Sequence, residues 1–553
     1  MTTRHEWILT LAAAFVMTAT TALLVVPRAL EKTHLSPDAA SYLGVANSLA
    51  HGNGFVAPIQ WHFYLPGAPP QPAWAIFSPV ISVVLAVPIW LGADVTTAIV
   101  CHSLIAAGVG GAMVVVARRF MSLPAAVAAG AGLAWSTRWS QVSTFAWTEP
   151  YAVLGILLIV ATACGVSRSY RGALICAAVT VFGWLTRANV PLLGAVVVLA
   201  VLWEKRRPLR EGIRDRRLWI YVAAVATGIL GLRLAYELVS GLPPYVAYAA
   251  FFEMFNPWDL VFVDKQYVGA LAFMRANWTM VTAAWAAFVK ISFRELFLHT
   301  SMHFAGFLLP VVVTWGIFGR SGGGGDIPRR VAALGAVAFL LNTILIYGGF
   351  EARYLLPAAC CLWLAGAGSL DQLARKFSPR PGLAQWSLLG VPLIVLATTL
   401  PMQAKRSLVS WWAYSARGET LVVFRPKADD DLRRMCAFMN PDYVGVATEG
   451  EALHFWCGNP TLRLPRDLGV GNALERFIDQ RGPRYFVIER DDPRFAPIHS
   501  SARLKHLSTT PQYMLYEVVD FSRPPAWRAP PALACIGTRP PMCPEGAPGS
   551  TRR

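Results

Sequence analysis

Apolar segments long enough to cross a membrane recur through the first 403 residues, and this pattern constrains the fold more than any other feature of the sequence. An α-helix of about 20 apolar residues spans the hydrocarbon core of a bilayer. The chain has 553 residues, of which 55% are hydrophobic and 15% charged, and this composition excludes a single water-soluble core. The first segment, 7–26, has no small-residue cleavage site before Arg28, so we expect a retained helix and not a cleaved signal peptide.

Basic residues indicate which loops face the cytoplasm. The net charge of +17 does not indicate a nucleic-acid partner, because Arg and Lys cluster in short segments between the apolar stretches. Placing these segments and the N-terminus inside predicts an α-helical polytopic membrane protein with about 11 transmembrane helices and an extracytoplasmic C-terminus. The basic segments are 118–119, 168–171, 204–217, 320–330 and 371–380. The predicted spans lie near 7–27, 95–117, 122–138, 149–166, 172–186, 188–203, 218–239, 301–318, 331–348, 354–370 and 386–403.

This topology requires that the apolar segment 74–91 does not cross the membrane. Pro72, Pro79 and Pro88 favour that exception, because proline removes a backbone hydrogen bond and bends a helix. We predict a kinked helix in the outer interface, within a first outer loop of residues 28–94. The alternative is an ordinary span that leaves one pair of arginines outside.

Five charged residues then remain in outer loops or at outer helix ends. Ionisable groups at membrane depth are costly unless they are paired or hydrated, so each is a candidate functional residue. They are Asp38, Glu149, Arg187, Glu351 and Arg353.

The segment 36–55 of the first outer loop predicts one short helix. Ser36 is a suitable N-cap before a proline at the first helical position, and Gly52 supplies a stop. Asp38 then lies in the first turn, where the helix dipole favours a carboxylate. Stabilising the helix start is the alternative role for Asp38.

Four short motifs follow one another along this predicted outer face. They are Asp38, Tyr42, Ala46 and Leu49 with Gly52-Asn53-Gly54-Phe55; Thr148-Glu149-Pro150; Leu185-Thr186-Arg187; and Glu351-Ala352-Arg353-Tyr354-Leu355-Leu356-Pro357. In this order they resemble the motifs of GT-C membrane glycosyltransferases, the superfamily of protein O-mannosyltransferases and the lipid A aminoarabinose transferase. The resemblance implies a GT-C-like fold with interfacial helices in the first outer loop. The sequence departs from many relatives at Ala39, where they carry a second carboxylate, so the cofactor stays unknown and a divalent cation is left open.

The resemblance implies transfer of a sugar from a polyprenyl-phosphate donor to a glycan, lipid or protein acceptor at the extracytoplasmic membrane face, by an inverting single displacement. Asp38 is then expected to be the general base, while Arg187, Arg353 and Lys265 bind the departing phosphate. Substrate-orienting roles are expected for Glu149, Glu351, Tyr42 and Tyr64. For the two glutamates, simple ion pairing with the arginines is the alternative.

The remaining segments complete the predicted domain organisation. Residues 1–403 form the GT-C-like transmembrane domain, in which 240–300 is an outer amphipathic segment rich in aromatic residues at the lipid interface. Residues 404–525 are predicted to form a small extracytoplasmic (periplasmic) α/β domain, and 526–553 a Pro-rich tail. The predicted strands of the α/β domain are 443–447, 485–488 and 513–519, and its predicted helix is 473–480.

Four cysteines lie after residue 403, two in the predicted α/β domain and two in the Pro-rich tail. An oxidising compartment permits disulfides between Cys436 and Cys457 and between Cys535 and Cys543. A metal site is the alternative, which the absence of Cys-x-x-Cys pairs disfavours.

The expected location is a bacterial inner membrane, with a multi-pass chain surrounded by membrane lipids and a cytoplasmic N-terminus. A transporter or flippase of a lipid-linked glycan is the alternative function, although the sequence shows no internal repeat of the kind common in transporters. A scaffold without activity is a third possibility.

Overall fold

A computed structural model of the chain describes its helical part and a mixed β-sheet. The described residues are 4–31, 35–60, 68–75, 77–204, 213–245, 274–275, 278–298, 302, 305–319, 326–347, 352–378, 380–388, 390, 394, 401–410, 426–448, 450–465, 468, 472–491, 496–520, 528–530 and 532–533.

The described α-helices and strands follow in chain order. The helices are α1 Arg4–Glu31, α2 Pro37–Ala50, α3 Pro79–Trp90, α4 Val95–Arg118, α5 Leu123–Ala134, α6 Thr137–Thr144, α7 Glu149–Arg168, α8 Tyr170–Thr186, α9 Leu192–Glu204, α10 Arg216–Ser240, α11 Trp278–Phe293, α12 Asp326–Asn342, α13 Leu356–Phe377, α14 Pro381–Ser387, α15 Pro426–Cys436, α16 Gly450–Cys457, α17 Ala473–Arg481 and α18 Ala496–Ser500. The strands are β1 Val56–Ala57, β2 Ile59–Gln60, β3 Gln71–Pro72, β4 Gly445–Ala447, β5 Thr461–Arg463, β6 Tyr485–Glu489, β7 Leu504–Thr509 and β8 Tyr513–Val518. Tighter 3-10 turns occur at Ala73–Ala75, Ala305–Leu308 and Ala352–Leu355, and wider π turns at Arg294–Leu298, Val312–Ile317 and Thr343–Tyr347.

Within the described ranges, six helices are long and apolar enough to cross a bilayer by length and composition. They are Arg4–Leu30, Val95–Arg118, Glu149–Arg168, Arg216–Ser240, Asp326–Leu345 and Ala352–Phe377. These helices support a multi-pass membrane protein, whereas the count of eleven spans stays a prediction. The helix α3 has 12 residues and is therefore about 18 Å long. The hydrocarbon core is about 30 Å thick, so α3 is too short to cross alone.

One span that was predicted as a continuous helix is interrupted in the structure. The segment 122–138 is not a single helix, because α5 ends at Ala134 and α6 begins at Thr137. The reason is local: the Ser136 hydroxyl accepts a hydrogen bond from the Trp139 N–H at 3.1 Å and thereby caps α6.

The chain divides into two compact units. The first, here the helical unit, comprises Met1–Glu31, His102–Val239 and Thr279–Arg417. The second, here the sheet unit, comprises Lys32–Cys101, Ser240–Trp278 and Gly418–Arg553.

In the helical unit, α7 and α8 form an antiparallel hairpin with Ser169 as their single connecting residue. Glycines allow the two helices to approach closely. A Cβ atom on Gly172 would lie 2.5 Å from the Gly165 carbonyl oxygen, and one on Gly155 would lie 3.2 Å from the Gly183 Cα. The start of α7 and the end of α8 are therefore neighbours.

In the sheet unit, the described strands form a six-stranded sheet in the order β2-β5-β4-β6-β8-β7. The first four of these strands pair in parallel, and β8 pairs antiparallel with both β6 and β7. Buried apolar side chains of Val446, Leu462, Phe477 and Phe486 contribute to its core. The strand β2 comes from the segment 28–94, and its long-range pairing with β5 was not predicted from the sequence.

A disulfide bond joins Cys436 at the end of α15 to Cys457 at the end of α16, with an S–S distance of 2.03 Å. The two cysteines of the other predicted disulfide, Cys535 and Cys543, lie outside the described residues.

Candidate active site

The α7–α8 hairpin brings Glu149 and Arg187 together. Glu149 is the first residue of α7, and Arg187 directly follows the last residue of α8. An acidic residue at a helix start and a basic residue at a helix end are both favoured by the helix dipole. The Arg187 Nη1 donates a hydrogen bond to the Glu149 Oε1 at 2.8 Å.

Arg353 approaches the same carboxylate oxygen from another part of the chain. It belongs to the 3-10 turn Ala352–Leu355, directly before α13. Its Nε lies 3.8 Å from the Glu149 Oε1. Two guanidinium groups therefore converge on one carboxylate, and we refer to Glu149, Arg187 and Arg353 as the arginine cluster.

Aromatic rings surround the arginine cluster. The Arg353 guanidinium lies 4.1 Å from the centre of the Trp147 ring, and the Tyr354 ring lies 5.2 Å from Arg353 and 4.9 Å from Arg187. Cation–π contacts of this kind stabilise a guanidinium without neutralising it. Tyr354 belongs to a motif selected from the sequence, whereas Trp147, two positions before Glu149, was missed.

The backbone before Glu149 contributes to this arrangement. Ala146 has a φ of 51°, in the left-handed region that non-glycine residues rarely adopt. It lies between Phe145 and Trp147, whose rings stack at a centroid distance of 5.1 Å. Strained residues are concentrated at functional sites, so Ala146 is a further indication that this segment is functional.

The arginine cluster is almost fully buried. The exposed fractions of its side chains are 2% for Glu149, 4% for Arg187 and 7% for Arg353. Buried charges of this kind are retained only with close partners and are default functional candidates in membrane proteins. Among the residues that the structure describes, the second carboxylate oxygen of Glu149, Oε2, has no hydrogen-bond partner.

Asp38 belongs to the sheet unit. The predicted capped helix is present as α2, in which the Ser36 hydroxyl accepts a hydrogen bond from the Ala39 N–H at 3.2 Å. Asp38 is half-buried in its first turn. Tyr42 is buried on the same helix and packs edge-to-face on Phe77 at 5.3 Å.

Three of the predicted site residues, Tyr64, Lys265 and Glu351, lie outside the described residues. For the part of the chain that is described, no group of three or more His, Cys, Asp or Glu residues has an arrangement that could hold a metal ion.

Solved structures share the fold of this chain. ArnT from Cupriavidus metallidurans, bound to undecaprenyl phosphate, is 14% identical over 92% of this chain and 99% of its own length, with a TM-score of 0.52. The archaeal oligosaccharyltransferase AglB from Archaeoglobus fulgidus, in complex with an inhibitory peptide and a dolichol-phosphate, is 12% identical over 88% of this chain and 70% of its own, with a TM-score of 0.54. No family model and no curated protein matches the sequence. The chain therefore has the fold of the GT-C membrane glycosyltransferases.

Proposed function

We propose that the protein is a glycosyltransferase that moves a sugar from a polyprenyl-phosphate donor to an acceptor of the cell envelope. The arginine cluster is the observation that carries this proposal. Two guanidinium groups close to a single buried carboxylate oxygen, bordered by aromatic rings, form an environment suited to a phosphate diester. The solved ArnT and AglB structures of the same fold hold lipid phosphates, which supports this choice of ligand.

In the proposed reaction, the acceptor hydroxyl or amine attacks the anomeric carbon, and the bond from that carbon to the phosphate oxygen breaks. The acceptor proton passes to the Asp38 carboxylate. The electron pair of the broken bond remains on the polyprenyl phosphate, whose charge Arg187 and Arg353 stabilise. Attack opposite to the leaving group inverts the anomeric centre in one displacement.

Glu149 has two roles in this proposal. Its Oε1 holds both arginines at 2.8 and 3.8 Å, so it supplies the counter-charge that lets two cations lie close together before the donor binds. Its Oε2 is the acceptor for a hydroxyl group of the sugar. Glu351, Tyr42, Tyr64 and Lys265 stay proposed contacts of the substrates.

The sidedness of the reaction is also part of the proposal. Basic loops on the cytoplasmic side of a bacterial inner membrane give the first outer loop and the C-terminal α/β domain an extracytoplasmic location. The disulfide between Cys436 and Cys457 supports this location, because disulfides persist in oxidising compartments. The identity of the sugar, hexose or pentose, follows only from the assay below.

The test is donor consumption by the purified full chain in liposomes, with a panel of polyprenyl-phosphate hexoses and pentoses and a cell-envelope extract as acceptor. We expect release of polyprenyl phosphate and a glycosylated product. Arg187→Gln and Arg353→Gln are each expected to lower the rate at least about 100-fold, the scale of losing one charge-stabilising donor. Arg138→Gln is the control, since Arg138 is another arginine of the helical unit with a carboxylate partner, Glu295, at 3.3 Å, and its side chain is 20% exposed.

Two results would contradict the proposal. One is an intact wild-type protein that consumes no donor of the panel. The other is equal activity of the Arg187→Gln and Arg138→Gln variants at equal melting temperature. Movement of intact donor across the bilayer without product would instead support the transporter.

A further inference from the structure

Two adjacent residues at the end of α12 make hydrogen bonds to the two chain segments that carry the arginines of the arginine cluster. α12 ends at Asn342, and the π turn Thr343–Tyr347 begins directly afterwards. Successive residues of a helix point about 100° apart, so two adjacent side chains can contact two different segments. The side chains of Asn342 and Thr343 are both buried in the helical unit.

Asn342 contacts the turn that follows Arg187. The Asn189 Nδ2 donates a hydrogen bond to the Asn342 Oδ1 at 3.0 Å. Asn189 lies in a turn that is closed by a hydrogen bond from the Val190 N–H to the Arg187 carbonyl oxygen at 3.1 Å. Within the described ranges, the buried Asn189 side chain makes no other hydrogen bond. The contact with Asn342 therefore holds the backbone immediately after Arg187.

Thr343 contacts the turn that carries Arg353. The Thr343 hydroxyl donates a hydrogen bond to the Tyr354 carbonyl oxygen at 3.1 Å. Tyr354 directly follows Arg353, and its ring lies 4.9 Å from the Arg187 guanidinium and 5.2 Å from that of Arg353. Thr343 is 1% exposed, and a hydrogen bond is stronger in such a water-poor environment. The hydroxyl therefore holds the backbone immediately after Arg353.

The carboxylate of Glu149 does not hold the two arginines equally. The Arg187 Nη1 lies 2.8 Å from the Glu149 Oε1, which is a hydrogen-bond distance. The Arg353 Nε lies 3.8 Å from the same oxygen, which is beyond that distance. A preorganised binding site needs its groups held to within about 0.5 Å. Hydrogen bonds behind both arginines supply such support.

We propose that Asn342 and Thr343 are positioning residues that set the separation of Arg187 and Arg353, so that both guanidinium groups reach the same phosphate. Asn342 acts through Arg187 and Thr343 through Arg353, and neither touches the substrate. The inference rests on the proposed function, since it concerns the same phosphate site. The π turn that begins at Thr343 agrees with this role, because such turns occur frequently at functional sites.

The experiment measures kcat and the donor KM of full-chain variants, with the donor found active in the liposome assay. Thr343→Val keeps the shape of the side chain and removes its hydroxyl. We expect kcat to fall about tenfold, the scale of one ordinary hydrogen bond. The phosphate gains its second negative charge only as the bond to the sugar breaks, so KM is expected to change less than about twofold. Thr343→Ser is expected to restore kcat, and Asn342→Leu to lower it as Thr343→Val does.

The dependence on the arginines separates positioning from support of the fold. In an Arg353→Gln background, Thr343→Val is expected to lower kcat by less than about twofold, because the group that it positions is already absent. Asn342→Leu is expected to be equally silent in an Arg187→Gln background. Both combinations are compared with the single variants at equal melting temperature.

Thr180→Val is the matched control. Thr180 is also a buried threonine of the helical unit, in the middle of α8, and its hydroxyl donates a hydrogen bond to the Cys176 carbonyl oxygen at 2.8 Å. The same substitution therefore removes a similar hydrogen bond away from the arginine cluster. It is expected to leave kcat unchanged.

An active wild-type protein in which Thr343→Val lowers kcat by the same factor with and without Arg353 would overturn the inference. An unchanged kcat in Thr343→Val, or a loss that Thr343→Ser does not restore, would also overturn it. If Asn342→Leu does not fold, the Thr343 variants decide alone. A wild-type protein that consumes no donor counts against the proposed function instead, so the two failures are distinguishable.

Discussion

Replacing Glu149 by glutamine removes the negative charge of the arginine cluster and keeps its shape. The amide oxygen can still accept a hydrogen bond from Arg187, which lies 2.8 Å away, but it no longer offsets the charge of two buried guanidinium groups. Removing one partner of a buried ion pair costs about 3 to 5 kcal/mol. We therefore expect Glu149→Gln to lower the free energy of unfolding of the ligand-free protein by that amount.

A bound phosphate would replace the missing charge. Undecaprenyl phosphate is accordingly expected to raise the melting temperature of Glu149→Gln more than that of the wild type. The uncharged undecaprenol is expected to have the same effect on both proteins. The assay is thermal unfolding in detergent with each lipid at equal concentration. Asp371→Asn is the control, since Asp371 is a buried carboxylate of the same unit that pairs with Arg375 at 2.9 Å. It is expected to be destabilised without rescue by the phosphate.

The proposed role of the arginine cluster is refuted if the phosphate stabilises Glu149→Gln no more than it stabilises Asp371→Asn. It is also refuted if undecaprenol is as effective as the phosphate, because the lipid chain and not the arginine cluster would then be the source of stabilisation.

Three further predictions concern the sheet unit. Asp38→Asn is expected to lower the rate of sugar transfer at least about 100-fold without weakening donor binding, and near wild-type transfer would exclude Asp38 as the base. Burial lowers the pKa of His454 from 6.5 to about 4. As the pH falls from about 6.5 to about 4, the unfolded state binds a proton at this imidazole while the folded state does not, so the stability of the folded protein falls over that range. At about 1.4 kcal/mol per tenfold change in proton affinity, this loss of stability reaches about 3 kcal/mol. Melting curves of His454→Phe should not show this acid-dependent loss, and an equal acid dependence in both proteins would contradict the lowered pKa of His454. Replacing Cys436 and Cys457 by serine removes a disulfide between residues 21 positions apart and should lower the stability by about 3 kcal/mol. An unchanged melting temperature would contradict this expectation.

Local signals in the sequence were sufficient for much of the helical framework. Apolar length and the basic loops predicted α1, α4 and α7 within a few residues, and the Ser36 cap predicted the start of α2. The capping signal at Ser136 is equally local, but it lies within a continuous apolar pattern, so the break between α5 and α6 was not predicted.

Long-range contacts explain what the sequence did not predict. Nothing in the two residues of β2 indicates a pairing with β5, which lies some four hundred positions later in the chain. Likewise, the spacing of Glu149, Arg187 and Arg353 does not indicate that two guanidinium groups converge on one carboxylate oxygen, which depends on how α7, α8 and the turn before α13 pack.

Binding of the phosphate of a lipid-linked donor by the arginine cluster can be observed directly. Its most direct test is an experimental structure of the full chain in lipid nanodiscs with undecaprenyl phosphate. We expect density for the phosphate within hydrogen-bond distance, about 3 Å, of the guanidinium groups of both Arg187 and Arg353. A phosphate bound elsewhere, with the Glu149–Arg187 pair unchanged and no density beside Arg353, would contradict it.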